Sequence, residues 1–401
     1  MSLIVKKFGG SSVADAQKLR NVAGKIVESY DKGDQVIVVV SAQGDTTDDL
    51  IEKAKEVNPK PSKREMDVLL STGEQITISL LAMTLEKMGY PVISLTGWQA
   101  GFETNADYGN ARIKHINTER INAELDKNNI VIVAGFQGLN KYDDITTLGR
   151  GGSDTSAVAL AAACGADLCE IYTDVRGVYT ADPRIVKDAR QLAEISYDEI
   201  LELASLGANV LHNRSVELAK KYNVNLEVLS SFEKVPGTIV KEVSDMEKML
   251  VRGVTRDNNV SRIAIIGLED EPGKAFLIFS KLAKRGINVD IILQSIGRNN
   301  TKDISFTVSR DHLDAALSVL EEAKSALGAK EITHDDNVSK VSIVGSGMVN
   351  NPGVAAMMFE ALYDADINIQ MISTSEIKVS VLVEERYAEK AVNAIHERFK
   401  I

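Results

Sequence analysis

Residues 3–42 read LIVKKFGGSSVADAQKLRNVAGKIVESYDKGDQVIVVVSA, and the reading of this stretch decides the fold. A β-branched run (LIVKKF, 3–8) meets two glycines, helical spacing follows over 13–30, and a second apolar run (QVIVVVSA, 35–42) closes the unit. The apolar residues of both runs are nearly continuous rather than alternating, as in strands covered on both faces. Moving outward, PVISL (91–95), NIVIVAGF (129–136) and DLCEIYT (167–173) repeat that strand pattern, and 64–88, 111–127 and 153–165 carry helical spacing. Strand–helix–strand alternation predicts an α/β domain with a mostly parallel sheet and helices on both faces. A helical stretch at 197–222 and then LEVLSSFEKVPGTIV (226–240) close it, giving a first domain over 1–240. The polar KEVSDMEK (241–248) is the predicted linker, and Met246 within it and Met249 just past it are candidate starts for a separate, shorter product.

The last third contains an internal repeat. Pro272-Gly273 recurs as Pro352-Gly353, and INVDIILQS (287–295) as INIQMISTS (367–375), both pairs 80 residues apart. Each copy begins with a strand (RIAIIG, KVSIVG), then has Pro-Gly, a helix, two strands (the second ISFTV or IKVSV) and a helix. That is the βαββαβ, ferredoxin-like arrangement, predicted over 260–327 and 338–401. Alternatively, the pair is purely structural and takes no ligand.

Composition narrows the partners. A net charge of -11 with no local basic patch speaks against nucleic acid. No uncharged run approaches the ~18 residues of a membrane span, and MSLIVKKFGG is not a signal peptide. A cytoplasmic protein is expected. Cys164 and Cys169 lie in an apolar stretch without metal-ligand spacing, so they read as core, and no metal site in the protein itself is predicted.

Four segments at strand ends carry candidate chemistry, the place where ligands of such sheets bind. In KKFGGSSV (6–13), Phe8 ends a strand, Gly9 and Gly10 let backbone N–H groups approach an anion, Ser11 and Ser12 lead into a helix, and Lys7 supplies a cation. The same residues also suit an ordinary strand-to-helix turn. In TTLGRGGSDTSA (146–157), Arg150 precedes Gly151 and Gly152, and Ser153 and Asp154 open a helix; an arginine fork is the natural clamp for a carboxylate. Glu74, in LLSTGEQIT, is an acidic site candidate or a surface or helix-capping carboxylate. YTDVRGVYTADPR (172–184) suits nucleotide contacts from Thr173, Asp174, Tyr179 and Arg184, as would many loops of its kind. There is no P-loop: Gly267 to Gly273-Lys274 has one residue too many and lacks the hydroxyl. The protein-kinase motifs are absent too.

Together KFGGSSV, SAQGDTT (41–47), STGE (71–74), GFQG (135–138), GRGGSD (149–154) and YTDVRGVYTADPR resemble, in order and spacing, the amino-acid kinase superfamily and within it the aspartokinases. The two repeats resemble ACT domains, which bind amino acids where domains meet. The resemblance covers essentially the whole chain and implies an ATP-dependent kinase of L-aspartate, working with Mg²⁺, at the head of lysine, threonine and methionine biosynthesis. It places Lys7, Phe8, Gly9, Gly10 and Ser11 at the ATP phosphates, with Thr173, Asp174, Tyr179, Arg184 and Asn209 around the nucleotide. It places Ser41, Thr47, Phe136 and Gly151 to Ser153 at the substrate, Glu74 at its α-amino group, Arg150 at its α-carboxylate, and Asp154 beside the transferring phosphoryl group. It implies a homo-oligomer, dimer or tetramer, assembled through the ACT domains. Lysine, threonine or both would be effectors near Asp270, Gly273, Ala275, Asn288, Asp290 and Gln294 of one repeat and Val354, Ala355, Asn368, Ile369 and Ser375 of the other. One departure stands out. GANVLHNR has Asn209 where aspartokinases carry a Lys at ATP, and Asn213 where they carry Pro.

An acceptor carboxylate, with a pKa of about 3.9, is ionised at neutral pH and needs no general base. Asp154 is then an orienter of Lys7 or of the metal rather than a proton acceptor. The rival readings are a kinase of glutamate or N-acetylglutamate and a non-catalytic amino-acid sensor. Glu74 speaks against N-acetylglutamate, because only a free amine calls for a carboxylate opposite it. Lys7, Arg150 and Asp154 argue against the sensor, and Asn209 argues for it.

Overall fold

The computed structural model describes residues 2–207, 210–242, 250–295 and 300–401. Asn209, Met246 and Met249 lie outside them. Two compact units emerge: residues up to 179 with 191–205 and 210–242, and 180–190 with 206–207 and everything from 250 onward.

The first unit is built on an eight-stranded sheet. Its strands run in the order Glu194–Ser196, Thr238–Lys241, Leu226–Ser230, Leu168–Thr173, Leu3–Phe8, Gln35–Val40, Ile130–Ala134 and Val92–Leu95. Every neighbouring pair is parallel except Leu226–Ser230 with Thr238–Lys241. On one face Val36, Val38, Val40, Ile130 and Ile132 pack with Leu19, Val22 and Ile26 of helix Ala16–Tyr30 and with Ile78, Leu81 and Leu85 of helix Lys63–Lys87. Burying each such leucine or isoleucine is worth about 1.5–3 kcal/mol. The other face carries helix Gly152–Cys164, packed on Leu3–Phe8 and both flanking strands. Cys169 is fully buried and Cys164 partly, and burial pushes the thiol of Cys164 up to about 11, in keeping with core roles.

Strand alternation then separates two adjacent lysines. Successive side chains point to opposite faces, so Lys7 faces helix Gly152–Cys164 and pairs there with Asp154. Lys6 points the other way, into a buried pair with Glu170. Helix Lys63–Lys87 is long and apolar enough to cross a membrane, but it buries Asp67 and Glu74 along with Ile78, Leu81 and Leu85 inside this unit, while Ile76, Leu80 and Met83 are exposed.

Several elements differ from the sequence reading. Residues 111–127 form not one helix but strand Ile113–Ile116 and helix Glu119–Leu125. The strand joins a small sheet with Phe102–Thr104, Gln137–Leu139 and Ile145–Thr147. The stretch 197–222 is two helices, Tyr197–Ser205 and Asn213–Tyr222. Thr46–Val57 is helical and carries no fully buried residue to mark it. The first helix starts at Ala16, where the Asp15 side chain accepts from the N–H groups of Gln17 and Lys18. Ser11 and Ser12 belong instead to a short 3-10 turn. Of the predicted linker, Lys241 ends a strand and 243–249 lie outside the described residues.

In the second unit each repeat forms a four-stranded antiparallel sheet. The first runs Ile292–Gln294, Thr301–Val308, Ser261–Glu269, Glu331–Asp335. The second runs Gly253–Asp257, Val338–Val344, Lys378–Glu384, Met371–Thr374. The second copy thus takes its fourth strand from residues that precede the first copy. Residues 180–190 join its core through Ala181 and Val186, packed with Val341, Ile343 and Ile395.

Candidate functional site

Glycines open the site at the C-terminal ends of the central strands. A Cβ on Gly10 would lie 2.7 Å from the carbonyl oxygen of Ala42, so no larger residue fits where these two turns meet. Across the cleft, Gly149 and Gly151 hold φ of 79° and 67°, the left-handed region that favours glycine. Between them stands Arg150. A Cβ on Gly151 would come within 2.1 Å of the His212 ring, and Gly152 backs onto Phe136. Phe136 is itself left-handed at φ 71°, uncommon for a bulky side chain, and its N–H donates to Ser156 Oγ at 3.0 Å. No side chain caps helix Gly152–Cys164, whose N-terminus opens at Ser153 and Asp154. Such an end receives anions.

These turns enclose a cavity of about 640 Å³. Lys7, Gly9, Gly10, Ser41, Thr47, Glu74, Phe136, Arg150, Gly151, Gly152, Ser153 and Asp154 all line it, so the substrate and catalytic candidates come together. Lys7 Nζ lies 2.6 Å from Asp154 Oδ1, a close ion pair rather than a well-aligned hydrogen bond. Arg150 is exposed and has no partner among the described residues. Glu74 is its opposite. Buried on helix Lys63–Lys87, it accepts the Ala42 N–H on Oε1 at 3.1 Å and leaves Oε2 without a partner among the described residues. Burial pushes its carboxyl up to about 8, opposed by backbone hydrogen bonds that favour the anion.

The nucleotide candidates are less concentrated. Phe8 is core, stacked on Tyr172 at 4.5 Å, and Ser11 is exposed beside Gly10. Thr173 ends the strand next to Leu3–Phe8, its hydroxyl 3.0 Å from Asp174 Oδ1. Tyr179 is half-buried at the end of the first unit, and Arg184 sits on the segment of the second, paired with Asp182 at 2.7 Å. Sequence reasoning missed Asp67, Tyr108, Asn110 and Thr147, which also line the cavity. A carboxylate inside an apolar helical run was the one signal that pointed to Asp67.

In the second unit the effector candidates fall into two matching sets. Gly273 and Gly353 are the left-handed N-caps, at φ 96° and 97°, of helices Lys274–Lys284 and Val354–Asp364, whose first turns hold Ala275 and, in the second, Val354 and Ala355. Gln294 lies on one edge strand, and Asn368, Ile369 and Ser375 flank the other. Asp270 pairs with Lys302 at 2.9 Å, Asp290 pairs with the buried Lys340, and Asn288 precedes the strand.

Known proteins match both parts of the chain. Residues 2–230 match the model of the amino acid kinase family, and 263–323 and 341–399 match that of the ACT domain. An aspartokinase of Bacillus sp. (strain MGA3) is 54% identical over 402 residues, covering 100% of this chain and 98% of that protein. The crystal structure of E. coli aspartokinase III in complex with aspartate and ADP (R-state) is 25% identical, with a TM-score of 0.81 and 100% of both chains covered. The same enzyme in complex with lysine and aspartate (T-state) is 26% identical, with a TM-score of 0.80 and 99% of each chain covered.

Proposed function

The chain belongs to the amino acid kinase family, in its aspartokinase branch, and phosphorylates aspartate from ATP; from that premise we propose how its cavity holds the substrate and how its repeats regulate it. The observation that carries the reading is a charge pattern. One cavity offers a cation and a buried carboxylate oxygen, on Arg150 and Glu74, neither engaged by another described residue. That pair complements a free amino acid, with Glu74 taking the α-ammonium and Arg150 the α-carboxylate. The side-chain carboxylate is then directed at the phosphoryl donor.

The product is 4-phospho-L-aspartate. The nucleophile is already ionised, so the chain's task is to offset repulsion between two anions. Lys7, held by Asp154, stands where it can meet charge growing on the transferring group. The helix N-terminus at Ser153 and the N–H groups of Gly9 and Gly10 add donors. The donor set fits Mg²⁺ that arrives with the nucleotide. Among the described residues no three His, Cys, Asp or Glu side chains gather, and Mg²⁺ at ATP is held chiefly by phosphates and water with one or two carboxylates. Asp154 is the carboxylate best placed to contribute, and the metal supplies charge neutralisation on the phosphates.

For regulation, strands Ile292–Gln294 and Met371–Thr374 are sheet edges, each with a neighbouring strand on one side only among the described residues, and pairing between copies would assemble a homo-oligomer. Lysine, with threonine acting jointly as second choice, would bind beside Asp270 and Gln294. Its amine must compete with Lys302 for Asp270. The effector acts by favouring one arrangement of the repeats. Comparing aspartate with N-acetylaspartate and with the α-amide of aspartate tests the substrate reading. Each modification should cost most of kcat/KM. Equal turnover of the acetylated compound would remove Glu74 from the amine site.

A further inference from the structure

Arg150 stands on a loop whose backbone has unusual freedom, and two charged side chains outside the assigned set fix it. Glycine precedes and follows Arg150, both in the left-handed region. Downstream, the loop is anchored by helix Gly152–Cys164. Upstream, it runs beside residues 109–111, joined by the Ala111 N–H donating to the Thr147 carbonyl at 2.8 Å.

The two upstream segments are gripped from both polarities. Asp67, buried on helix Lys63–Lys87, accepts from Gly109 N–H at 2.9 Å, Thr147 N–H at 3.0 Å and Thr147 Oγ1 at 2.7 Å. Arg214, in the first turn of helix Asn213–Tyr222, donates through Nη1 to the Leu148 carbonyl and through Nη2 to the Ala111 carbonyl, each at 2.8 Å. One group therefore takes N–H groups of 109 and 147, and the other gives to carbonyls of 111 and 148. The grip ends one residue before Gly149. Burial raises the Asp67 carboxyl, and the three donors that it accepts oppose that shift. A carboxylate that only accepts matches three donors.

The geometry points to Asp67 and Arg214 as positioning residues for aspartate binding: they set the guanidinium of Arg150 against the substrate α-carboxylate without touching the substrate. The inference rests on Arg150 being that clamp. Misplacing a binding group by about 1 Å can cost on the order of a hundredfold, so the effect belongs in the aspartate KM rather than in phosphoryl transfer.

Steady-state kinetics on the full-length enzyme test it, using Asp67→Asn, Arg214→Gln, Arg214→Lys, Arg150→Ala and the doubles with Arg150→Ala. Asp67→Asn and Arg214→Gln should raise the aspartate KM by between about ten- and a hundredfold, with kcat and the ATP KM within about twofold. Arg214→Lys, which reaches one carbonyl at a time, should fall between wild type and Arg214→Gln. Added to Arg150→Ala, neither Asp67→Asn nor Arg214→Gln should raise the KM further, because residues acting through one group are not additive. Comparable losses in kcat and in the ATP KM, or multiplication of effects in the doubles, would overturn the positioning role. If Arg150→Ala raises the aspartate KM while the other two leave it alone, the positioning role alone falls. If Arg150→Ala itself changes nothing, the clamp assignment falls first. Should Asp67→Asn fail to fold, the partly exposed Arg214 series decides the matter.

Discussion

Between about pH 7 and pH 8.5 the kcat/KM for aspartate should rise about eightfold. Glu74 can receive an α-ammonium only as a carboxylate, and its burial holds the carboxyl near 8 in the free enzyme. About a tenth of the enzyme is then ionised at pH 7 and about three quarters at pH 8.5, and kcat/KM reports the free enzyme. The profile of kcat should be flatter, because a bound ammonium beside Glu74 favours its charged form. Initial rates by ADP release at saturating ATP, with aspartate varied at each pH, measure both. Glu74→Gln should lose the slope and lower kcat/KM across the range. A second sign follows from the same group. Its folded value lies above the ordinary 4.5, so the native state binds more protons than the unfolded state between 4.5 and about 8, and stability falls as pH rises through that window. The unliganded Glu74→Gln variant should therefore gain in Tm over wild type at pH 8.5 relative to pH 6. A flat wild-type kcat/KM, or a slope that survives in Glu74→Gln, would refute the reasoning.

Lys7→Ala should lower kcat by more than about tenfold, or about 1.4 kcal/mol, with smaller changes in both KM values; a smaller fall in single-turnover rate would end its catalytic assignment. Gly151→Ala forces a side chain into the left-handed region and against the His212 ring. It should cost at least about 1–2 kcal/mol in thermal or denaturant unfolding, and full stability would show that the loop can move away. Asp270→Ala or Gln294→Ala should relieve inhibition by millimolar lysine, alone or with threonine, with uninhibited kcat within about twofold. Wild type indifferent to both amino acids would leave the repeats structural.

The central strands were legible because residues such as Val36 to Val40 are buried on both faces of a parallel sheet and leave an unbroken apolar run. The glycine turns were legible through their conformational demands. Residues 111–127 misled because Ile113 and Ile116 are three apart on an edge strand, which mimics a helix, while Asn117 Oδ1 takes the Glu119 N–H where the true helix begins. Strand Gly253–Asp257 owes its existence to Val338–Val344 far along the chain, and no local pattern announces that. Asp67 and Arg214 went unread for a related reason. Their partners, backbone groups and the Thr147 hydroxyl, lie from 42 to 103 positions away, set by topology rather than by side-chain pattern.

The most direct test of the central claim is to trap the product. An acyl phosphate reacts with hydroxylamine to give a hydroxamate, so wild-type enzyme with ATP, Mg²⁺ and aspartate should yield the β-hydroxamate of aspartate in step with ADP, and Arg150→Ala should do so only at much higher aspartate. ADP release without hydroxamate, or the same aspartate dependence in Arg150→Ala, would contradict the account.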